Sequence, residues 1–200
     1  EDGLYINGHV TGNSPYLTFE WKAGKDGEHH EVKTQLIGEY NFANALAAVT
    51  IGHFFDVESG KIDTALKEYT PQNNRSQLKQ TADNTLIIDA YNANPTSMQA
   101  SISNFHNMEI DNKMLILGDM RELGKDGPKE HQKIVDFLTE CGFKDVMLVG
   151  EQFAAARHDF PTYPDAPAVI EALQKNKPHG KTILIKGSNG IKLSTVIDYL

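Results

Sequence analysis

A regular alternation of apolar strands and amphipathic helices in residues 75–200 is the feature that most restricts the fold of this 200-residue chain. Near-continuous apolar runs predict buried strands at residues 85–90, 114–118, 146–150 and 182–186, with a short one near 162. Helical patterns occupy residues 96–108, 128–141, 151–158, 166–175 and 191–200. Such strands separated by helices are typical of a mostly parallel sheet covered on both faces, and therefore of an open α/β fold.

Residues 1–74 have a different pattern and are predicted to be a separate part of the protein. Two alternating segments, 16–21 and 31–37, are joined by the polar stretch KAGKDGEHH and predict a β-hairpin. An alanine-rich apolar helix follows at 41–55, and a shorter helix at 60–69. A hairpin provides too little sheet to cover the apolar helix, so we expect that the chain begins in the middle of a domain.

Charge and hydropathy exclude several classes of partner. A formal net charge of -8 argues against a nucleic-acid or anionic-lipid surface, because neutralising phosphates requires clustered Lys and Arg. The apolar runs are shorter than the roughly 20 residues of a membrane-spanning helix, and the first residues lack a signal-peptide pattern. Cys141 has no second cysteine to pair with, which favours a reducing compartment. We therefore expect a cytoplasmic protein that does not enter a membrane.

Polar residues follow the carboxyl ends of the predicted strands, where open α/β folds bind ligands. The four segments are DAYNANP, GDMRELG, VGEQF and KGSNG. In the first, Asp89 can accept two hydrogen bonds from a diol such as a ribose, and Asn92 and Asn94 offer donors and acceptors together. Turn formation is an alternative role for the same asparagine, aspartate and proline residues.

The later segments carry candidate anion-binding groups. Lys186 ends the last predicted strand, and Ser188 and Asn189 lie near the start of the last predicted helix. A cation beside helix-terminal N–H groups suits a carboxylate or a phosphate. The alternative is a simple turn in which the serine caps the helix. For Asp119, the alternative to a ligand role is a helix cap or a salt bridge with Arg121.

Two patterns that resemble functional motifs are rejected. HGKT, at residues 179–182, resembles the end of a phosphate-binding P-loop, but Lys175 stands where that motif needs glycine. The segment also precedes a strand, whereas a P-loop follows one. His29 and His30 lie in a predicted hairpin turn without a carboxylate or cysteine at ligand spacing. We therefore predict neither a P-loop nor a metal site in this sequence.

Five ordered segments resemble the Mur ligase family. They are GEYNFANALAA, NNRSQ, IIDAYNANPTSM, LILGDMRELG with His131 downstream, and ILIKGSNG. The resemblance covers nearly the whole chain, and DAYNANP and LGDMRELG are its most specific parts. Family members have a UDP-sugar domain, a central ATPase domain with a P-loop and a C-terminal Rossmann-like domain. The resemblance implies that residues 1–74 are the tail of the central ATP-binding domain and residues 75–200 the C-terminal domain.

The resemblance also implies an activity. The segments look most like the branch of the family that adds D-Ala-D-Ala to UDP-MurNAc-tripeptide during peptidoglycan synthesis. The implied ligands are therefore ATP, Mg²⁺, D-Ala-D-Ala and UDP-MurNAc-tripeptide, with the P-loop lysine and the Mg²⁺ ligands in an upstream part that this sequence does not contain. We expect a monomeric, ATP-dependent ligase as the parent protein, and no activity from this fragment alone.

On the nucleotide side, the resemblance assigns five residues. Asn44 matches the family's asparagine near the adenine, and Arg75 matches the interdomain arginine that reaches the nucleotide phosphates. Asp89 matches the acid that holds the ribose, and Tyr91 and Asn92 are expected beside it against the nucleotide.

On the acceptor side, Asp119, Lys186, Ser188 and Asn189 are expected to face the incoming dipeptide. Lys186 and Ser188 are expected near its carboxylate. Together with Arg75, Lys186 is also expected to offset the negative charge that develops during catalysis.

Two positions depart from the family pattern. Tyr40 replaces the histidine of GxHN, and Asn189 replaces the arginine of KGSR, so the anion must rely more on Lys186 and on backbone N–H groups. A stand-alone α/β module that binds a small molecule is the alternative function. A dehydrogenase or response-regulator domain is disfavoured, because the sequence has neither the glycine fingerprint of the first nor the acidic cluster of the second.

Overall fold

The computed structural model describes residues 5–72 and 74–200. The chain divides into two compact units between Pro71 and Gln72. The assignment of the first unit to the tail of an ATP-binding domain remains a prediction. No helix within the described ranges has both the length and the apolar character needed to cross a membrane.

The first unit consists of an antiparallel sheet and two helices. Its strands are β1 (Ile6–Asn13), β2 (Tyr16–Ala23) and β3 (His30–Ile37), in that spatial order, and its helices are α1 (Phe42–Phe54) and α2 (Ser59–Glu68). The predicted hairpin is confirmed as β2 and β3. The prediction missed β1, because its sequence INGHVTGN is polar and contains two glycines, which hide the alternation expected of a strand.

One face of α1 packs on this sheet and the other is exposed. Ala45 and Val49 are the buried residues of the helix, whereas Ile51, Phe54 and Phe55 are exposed. A helix that is apolar all round normally has both faces covered. The three strands therefore cover only part of α1, as the sequence led us to expect.

The second unit is built around a six-stranded sheet. Its strands are β4 (Gln77–Gln80), β5 (Thr85–Asp89), β6 (Lys113–Gly118), β7 (Val146–Val149), β8 (Thr162–Tyr163) and β9 (Thr182–Lys186). The spatial order is β4-β5-β9-β6-β7-β8, with β4 antiparallel to β5 and all other neighbours parallel. The predicted open, mostly parallel sheet is therefore confirmed. β4 was missed because QLKQ is a short polar edge strand.

Four α-helices accompany this sheet: α3 (Pro95–Asn107), α4 (Gly127–Glu140), α5 (Glu151–Ala155) and α6 (Ala166–Lys175). One face of the sheet packs against apolar residues of α6 and of the C-terminal segment, among them Val169, Leu173 and Val196. The alternate strand residues, such as Leu117 and Leu184, are also buried, which is the pattern of a sheet covered on both faces.

The predicted last helix is wrong in type. In place of an α-helix at 191–200, the structure has two 3₁₀ segments, Asn189–Ile191 and Leu193–Tyr199. Lys192 between them has a left-handed backbone with φ 59°, which interrupts helical propagation. The prediction for 151–158 was also too long, because α5 ends at Ala155.

Candidate functional site

Four strand-end loops meet at the carboxyl edge of the second unit's sheet. Because β9 lies between β5 and β6, the loops after these three strands are direct neighbours, with the loop after β7 next along the edge. The chain order reverses here, and such a switch point is where open α/β sheets bind ligands.

An ion pair between Asp89 and Lys186 lies at the ends of β5 and β9. The two residues are paired in register across these parallel strands, and Lys186 Nζ lies 2.5 Å from Asp89 Oδ2. Ser101 Oγ, from α3, donates to the same oxygen at 3.3 Å. Only 2% of the Lys186 side chain is exposed, compared with 14% for Asp89. The Asp89 carboxylate is thus partly exposed to solvent at the carboxyl edge of the sheet, whereas the Lys186 ammonium group is buried below it.

The loop after β5 presents an aromatic ring beside this pair. Tyr91 is exposed, and the guanidinium carbon of Arg75 lies 4.0 Å from the centre of its ring. This distance is typical of a cation–π contact. Asn92 is exposed as well, and its carbonyl oxygen accepts a hydrogen bond from Lys186 Nζ at 3.3 Å. The structure therefore brings together four of the five residues predicted for the nucleotide side.

Asn44, the fifth of these residues, lies in the first unit. It is exposed on α1, and its side-chain amide donates to Asn41 Oδ1 at 3.2 Å. Tyr40, which replaces the family histidine, is also exposed in that unit.

Asn94 has the turn-forming role that the sequence left open. Its side-chain oxygen accepts the backbone N–H of Ser97 at 2.8 Å, and the Ser97 hydroxyl accepts the backbone N–H of Asn94 at 3.1 Å. This reciprocal arrangement is a capping box. It starts α3 directly after the loop and fixes the direction in which the loop leaves β5.

Asp119, at the end of β6, caps α5. Its two carboxylate oxygens accept the backbone N–H groups of Gln152 and Phe153, each at 3.0 Å. The side chain is 9% exposed. Across the described part of the chain, Asp119 forms no ion pair with Arg121. Both oxygens therefore accept backbone N–H groups at the start of α5, and Asp119 orders this loop; its contact with a ligand stays a prediction.

His131 supports the same loop from α4. It is fully buried, with Nδ1 2.7 Å from the carbonyl oxygen of Gly127 and Nε2 3.0 Å from the backbone nitrogen of Met120. These partners require a proton on Nδ1 and a lone pair on Nε2, so the imidazole is neutral. The 3.5 Å approach of His131 to Asp119 is therefore not an ion pair.

Ser188 joins two of the loops. Its hydroxyl accepts the backbone N–H of Arg121 at 2.9 Å and lies 3.5 Å from the carbonyl oxygen of Ala93. Its own backbone N–H donates to the Asp119 carbonyl at 3.2 Å. Because Ser188 is buried, it fixes the loops after β5 and β6 relative to each other. Asn189, the next residue, is exposed.

Arg121 is the site residue that sequence reasoning missed. It is exposed and lines a cleft of about 650 Å³ between the loops after β6 and β7. A side chain at Gly190 would collide with its guanidinium group, so the glycine allows Arg121 to lie against the loop after β9. Within the described residues, Arg121 has no carboxylate at ion-pair distance. Its position in a polar strand-end segment was the available signal.

A larger groove of about 870 Å³ lies between α3 and α4. No strand end contributes to it, and the charged residues along it include the ion pair of Lys133 and Glu130 at 2.7 Å. We therefore place the site at the carboxyl edge of the sheet. No group of three or more His, Cys, Asp or Glu side chains in the described ranges has the geometry of a metal site.

The chain is similar in sequence to known proteins. The family profile described as "Mur ligase, glutamate ligase domain" matches residues 74–189. The UDP-N-acetylmuramoyl-tripeptide--D-alanyl-D-alanine ligase of Bacillus subtilis is 29% identical over 92% of this chain and 44% of its own length. The ligase of the same name from Escherichia coli is 29% identical over 98% of this chain and 44% of its own length.

Solved structures show the same fold. MurF from Acinetobacter baumannii has a TM-score of 0.85 and 25% identity over 99% of this chain and 45% of that protein. A Thermotoga maritima MurF in complex with ADP has a TM-score of 0.79 and 16% identity, covering 96% and 45% of the two chains. The chain thus spans less than half the length of these relatives. Because the family profile matches more than half of its residues, the chain belongs to the Mur ligase family.

Proposed function

We propose that this chain is part of an ATP-dependent ligase that joins D-Ala-D-Ala to UDP-MurNAc-tripeptide in peptidoglycan synthesis. The observation that carries the proposal is the match to ligases named for this reaction over nearly the whole chain. The meeting of Arg75, Asp89, Tyr91 and Arg121 at one sheet edge supports it, because nucleotide and peptide ligands need such hydroxyl-binding and anion-binding groups.

The reaction proceeds in two steps. The tripeptide carboxylate attacks the γ-phosphorus of ATP, which forms an acyl phosphate and releases ADP. The amine of D-Ala-D-Ala then attacks the acyl carbon and loses a proton, the new amide bond forms, and inorganic phosphate leaves. A carboxylate is a poor electrophile, and phosphorylation provides the leaving group that it lacks. Water must be excluded in the meantime, because it would hydrolyse the acyl phosphate.

The nucleotide side of the proposed site is formed by the loop after β5. Asp89 accepts hydrogen bonds from the ribose hydroxyls, and Arg75 approaches the phosphates from its position on the Tyr91 ring. Tyr91 and Asn92 contact the nucleotide. The contact with the adenine is proposed for Asn44. Arg75 lowers the energy of the transition state by offsetting negative charge on the transferred phosphoryl group.

The acceptor side is the cleft beside Arg121. A guanidinium group binds a carboxylate through two parallel hydrogen bonds, and Arg121 is the exposed cation that lines this cleft. The expected helix N-terminus after β9 is only a short 3₁₀ turn, so the anion depends more on Arg121 than the sequence indicated. Asn189 lies on the neighbouring loop, and Asp119 and Ser188 hold the loops in place.

Mg²⁺ accompanies ATP in reactions of this kind. The described residues provide no cluster of metal ligands, and both Asp119 oxygens already accept backbone N–H groups. These residues therefore do not fit a resident Mg²⁺ ion. We propose that its ligands and the phosphate-binding P-loop lie in parts of the ligase other than this chain.

The proposal is tested with the full-length product of the gene that encodes this chain. We expect it to convert UDP-MurNAc-tripeptide, D-Ala-D-Ala and ATP into the pentapeptide product, detected by mass spectrometry, with one ADP formed per amide. The 200-residue chain alone should form no product. Ligation by that chain would refute its dependence on a separate P-loop, and a full-length protein without ligase activity would refute the proposed function. A protein without an upstream P-loop would favour the small-molecule binding module.

A further inference from the structure

The position of Lys186 is difficult to reconcile with a direct contact to the dipeptide. Its side chain is 2% exposed, although Asn189, three residues later, and Arg121, on the loop after β6, are both exposed. A buried ammonium group requires a charged or polar partner, and a ligand in solvent could reach Lys186 only through the 2% of its side chain that is exposed. Lys186 already has two acceptors, Asp89 Oδ2 and the carbonyl oxygen of Asn92.

The same contacts restrict the Asp89 carboxylate. Oδ2 accepts from both Lys186 Nζ and Ser101 Oγ. Within the described ranges, no hydrogen bond to Oδ1 is formed. The side chain is partly exposed, and a carboxylate oxygen can accept about two hydrogen bonds. Oδ1 is therefore the oxygen that remains available to a ligand, and Lys186 and Ser101 determine how the carboxylate is rotated.

We propose that Lys186 is a positioning residue for nucleotide binding and does not contact the dipeptide. It holds Asp89 by Oδ2, so that Oδ1 is directed to the ribose hydroxyls, and it holds the loop after β5 through the carbonyl group of Asn92. This inference rests on the proposed function. It differs from the role near the dipeptide carboxylate that the sequence suggested for Lys186.

Ser188 provides a comparison two residues further along the chain. Within the described residues it forms no hydrogen bond with Asp89. Its hydroxyl accepts the backbone N–H of Arg121, on the loop beside the proposed acceptor cleft, at 2.9 Å, and its approach to the Ala93 carbonyl oxygen of the loop after β5 is longer, at 3.5 Å. Removal of the Lys186 charge should therefore impair the nucleotide side, whereas removal of the Ser188 hydroxyl should impair the acceptor side more than the nucleotide side.

The test is steady-state kinetics of the full-length ligase with Lys186→Met, Asp89→Asn, the double variant and Ser188→Ala. Lys186→Met should raise the KM for ATP roughly ten-fold or more, as expected for the loss of a charge-assisted hydrogen bond. It should change the KM for D-Ala-D-Ala less than two-fold, which is about the uncertainty of comparing two variants. Ser188→Ala should raise the KM for D-Ala-D-Ala more than the KM for ATP. Asp89→Asn and the double variant should raise the KM for ATP about as much as Lys186→Met does. The effects of the two single changes should not add, because each change already breaks the same ion pair.

The kinetic outcomes separate this inference from the proposed function. Lys186→Met with a raised KM for D-Ala-D-Ala, or with equal increases for both substrates, would overturn the positioning role while the ligase function stands. Additive effects of Lys186→Met and Asp89→Asn would overturn it as well. A wild-type protein without ligase activity would overturn both.

A measurement without ligands distinguishes the loss of this ion pair from a loss of folding. In the 200-residue chain labelled with ¹⁵N-lysine, the Lys186 ammonium group should give a cross-peak protected from hydrogen exchange, identified by its absence in Lys186→Arg. Asp89→Asn should increase its exchange rate, and Ser188→Ala should not. A Lys186 signal that exchanges as fast as those of the surface lysines would overturn the buried pair. The arginine variant should also retain more ATP affinity than Lys186→Met, because it keeps the positive charge.

Discussion

At the scale of single residues, the candidate site combines groups that are exposed to solvent with buried groups that hold them in place. Arg121 and Tyr91 are exposed at the edge of the sheet, whereas Lys186, Ser188 and Asp119 are buried and hydrogen-bonded. A sequence pattern shows which residues follow a strand, but it does not show which of them keep a free hydrogen-bonding group. The burial of Lys186 could not be predicted in this way, because its partner Asp89 is 97 positions away in sequence.

Arg121→Ala is predicted to impair acceptor binding. We expect the KM for D-Ala-D-Ala to rise by about 10- to 100-fold, the effect of losing a charge-assisted hydrogen bond worth roughly 1.5–3 kcal/mol. The KM for ATP should remain close to that of the wild type. Lys125→Ala is the matched control, because Lys125 is an exposed cation of the same loop that does not line the cleft. A larger effect from Lys125→Ala than from Arg121→Ala would contradict the assignment.

Gly150→Ala is predicted to destabilise the second unit strongly. Gly150 has φ 121°, a conformation that residues with a side chain rarely adopt, and an added Cβ would collide with the Asp119 carboxyl group. Gly142→Ala is the control, since Gly142 has φ 73° with no atom near an added Cβ. Gly142→Ala should lower the free energy of unfolding by only about 1–2 kcal/mol. Urea unfolding followed by circular dichroism measures both variants, and equal losses would show that the collision with Asp119 is unimportant.

At the scale of secondary-structure elements, the apolar strands of the second unit were predictable and the edge strands were not. Buried parallel strands have continuous apolar sequences, and β5, β6, β7 and β9 lie within a residue or two of their predicted bounds. β1 and β4 are polar and depend on pairing with a neighbouring strand. The strand order, which inserts β9 between β5 and β6, depends on packing across the whole sheet and is not encoded in any local segment.

Asp83 links the turn before β5 to the segment before β9, and this link should depend on pH. Its carboxylate accepts hydrogen bonds from Lys177 Nζ at 2.8 Å and His179 Nδ1 at 3.1 Å. The bond from Lys177, followed by that from His179, lowers the pKa of Asp83. A carboxyl group whose pKa is lowered by folding stabilises the folded state above its ordinary pKa, and this stabilisation is lost as the pH falls through the lowered value.

We therefore expect Asp83→Asn to unfold at a lower urea concentration than the wild type at neutral pH. The difference should shrink as the pH falls below about 3.9, the ordinary pKa of an aspartate. Asp159→Asn, a change at an exposed carboxylate, is the control and should show little difference at any pH. A difference between Asp83→Asn and the wild type that persists unchanged to acidic pH would contradict the role of the charged carboxylate.

At the scale of the whole molecule, each unit has its own core and its own buried polar contacts. In the first unit, Asp63 on α2 accepts the indole N–H of Trp21 at 2.8 Å, and its other oxygen lies 2.8 Å from His30 Nδ1. The His30 ring stacks on Trp21 with 4.4 Å between ring centres. This group attaches α2 to the sheet. Its formation requires residues from three elements, so the sequence pattern did not predict it.

Asp63→Ala is predicted to destabilise the first unit by about 2–4 kcal/mol, because it leaves a buried indole N–H and a largely buried imidazole without their partner. Trp21 is the single tryptophan of the chain, so its fluorescence follows this unit during urea unfolding. Lys61→Ala, which removes an exposed ion pair on the same helix, should cost less than about 1 kcal/mol. Equal decreases in the free energy of unfolding for Asp63→Ala and Lys61→Ala would refute the importance of the Asp63 contacts.

The proposed ligase forms its amide by way of an acyl phosphate, and an isotope experiment follows the oxygen atom that this intermediate transfers. UDP-MurNAc-tripeptide labelled with ¹⁸O in the reacting carboxylate is incubated with ATP, D-Ala-D-Ala and the full-length protein, and the released phosphate is analysed by mass spectrometry. We expect one ¹⁸O atom to be transferred to phosphate for each amide bond formed. Phosphate without ¹⁸O, or release of phosphate without an amide product, would contradict it.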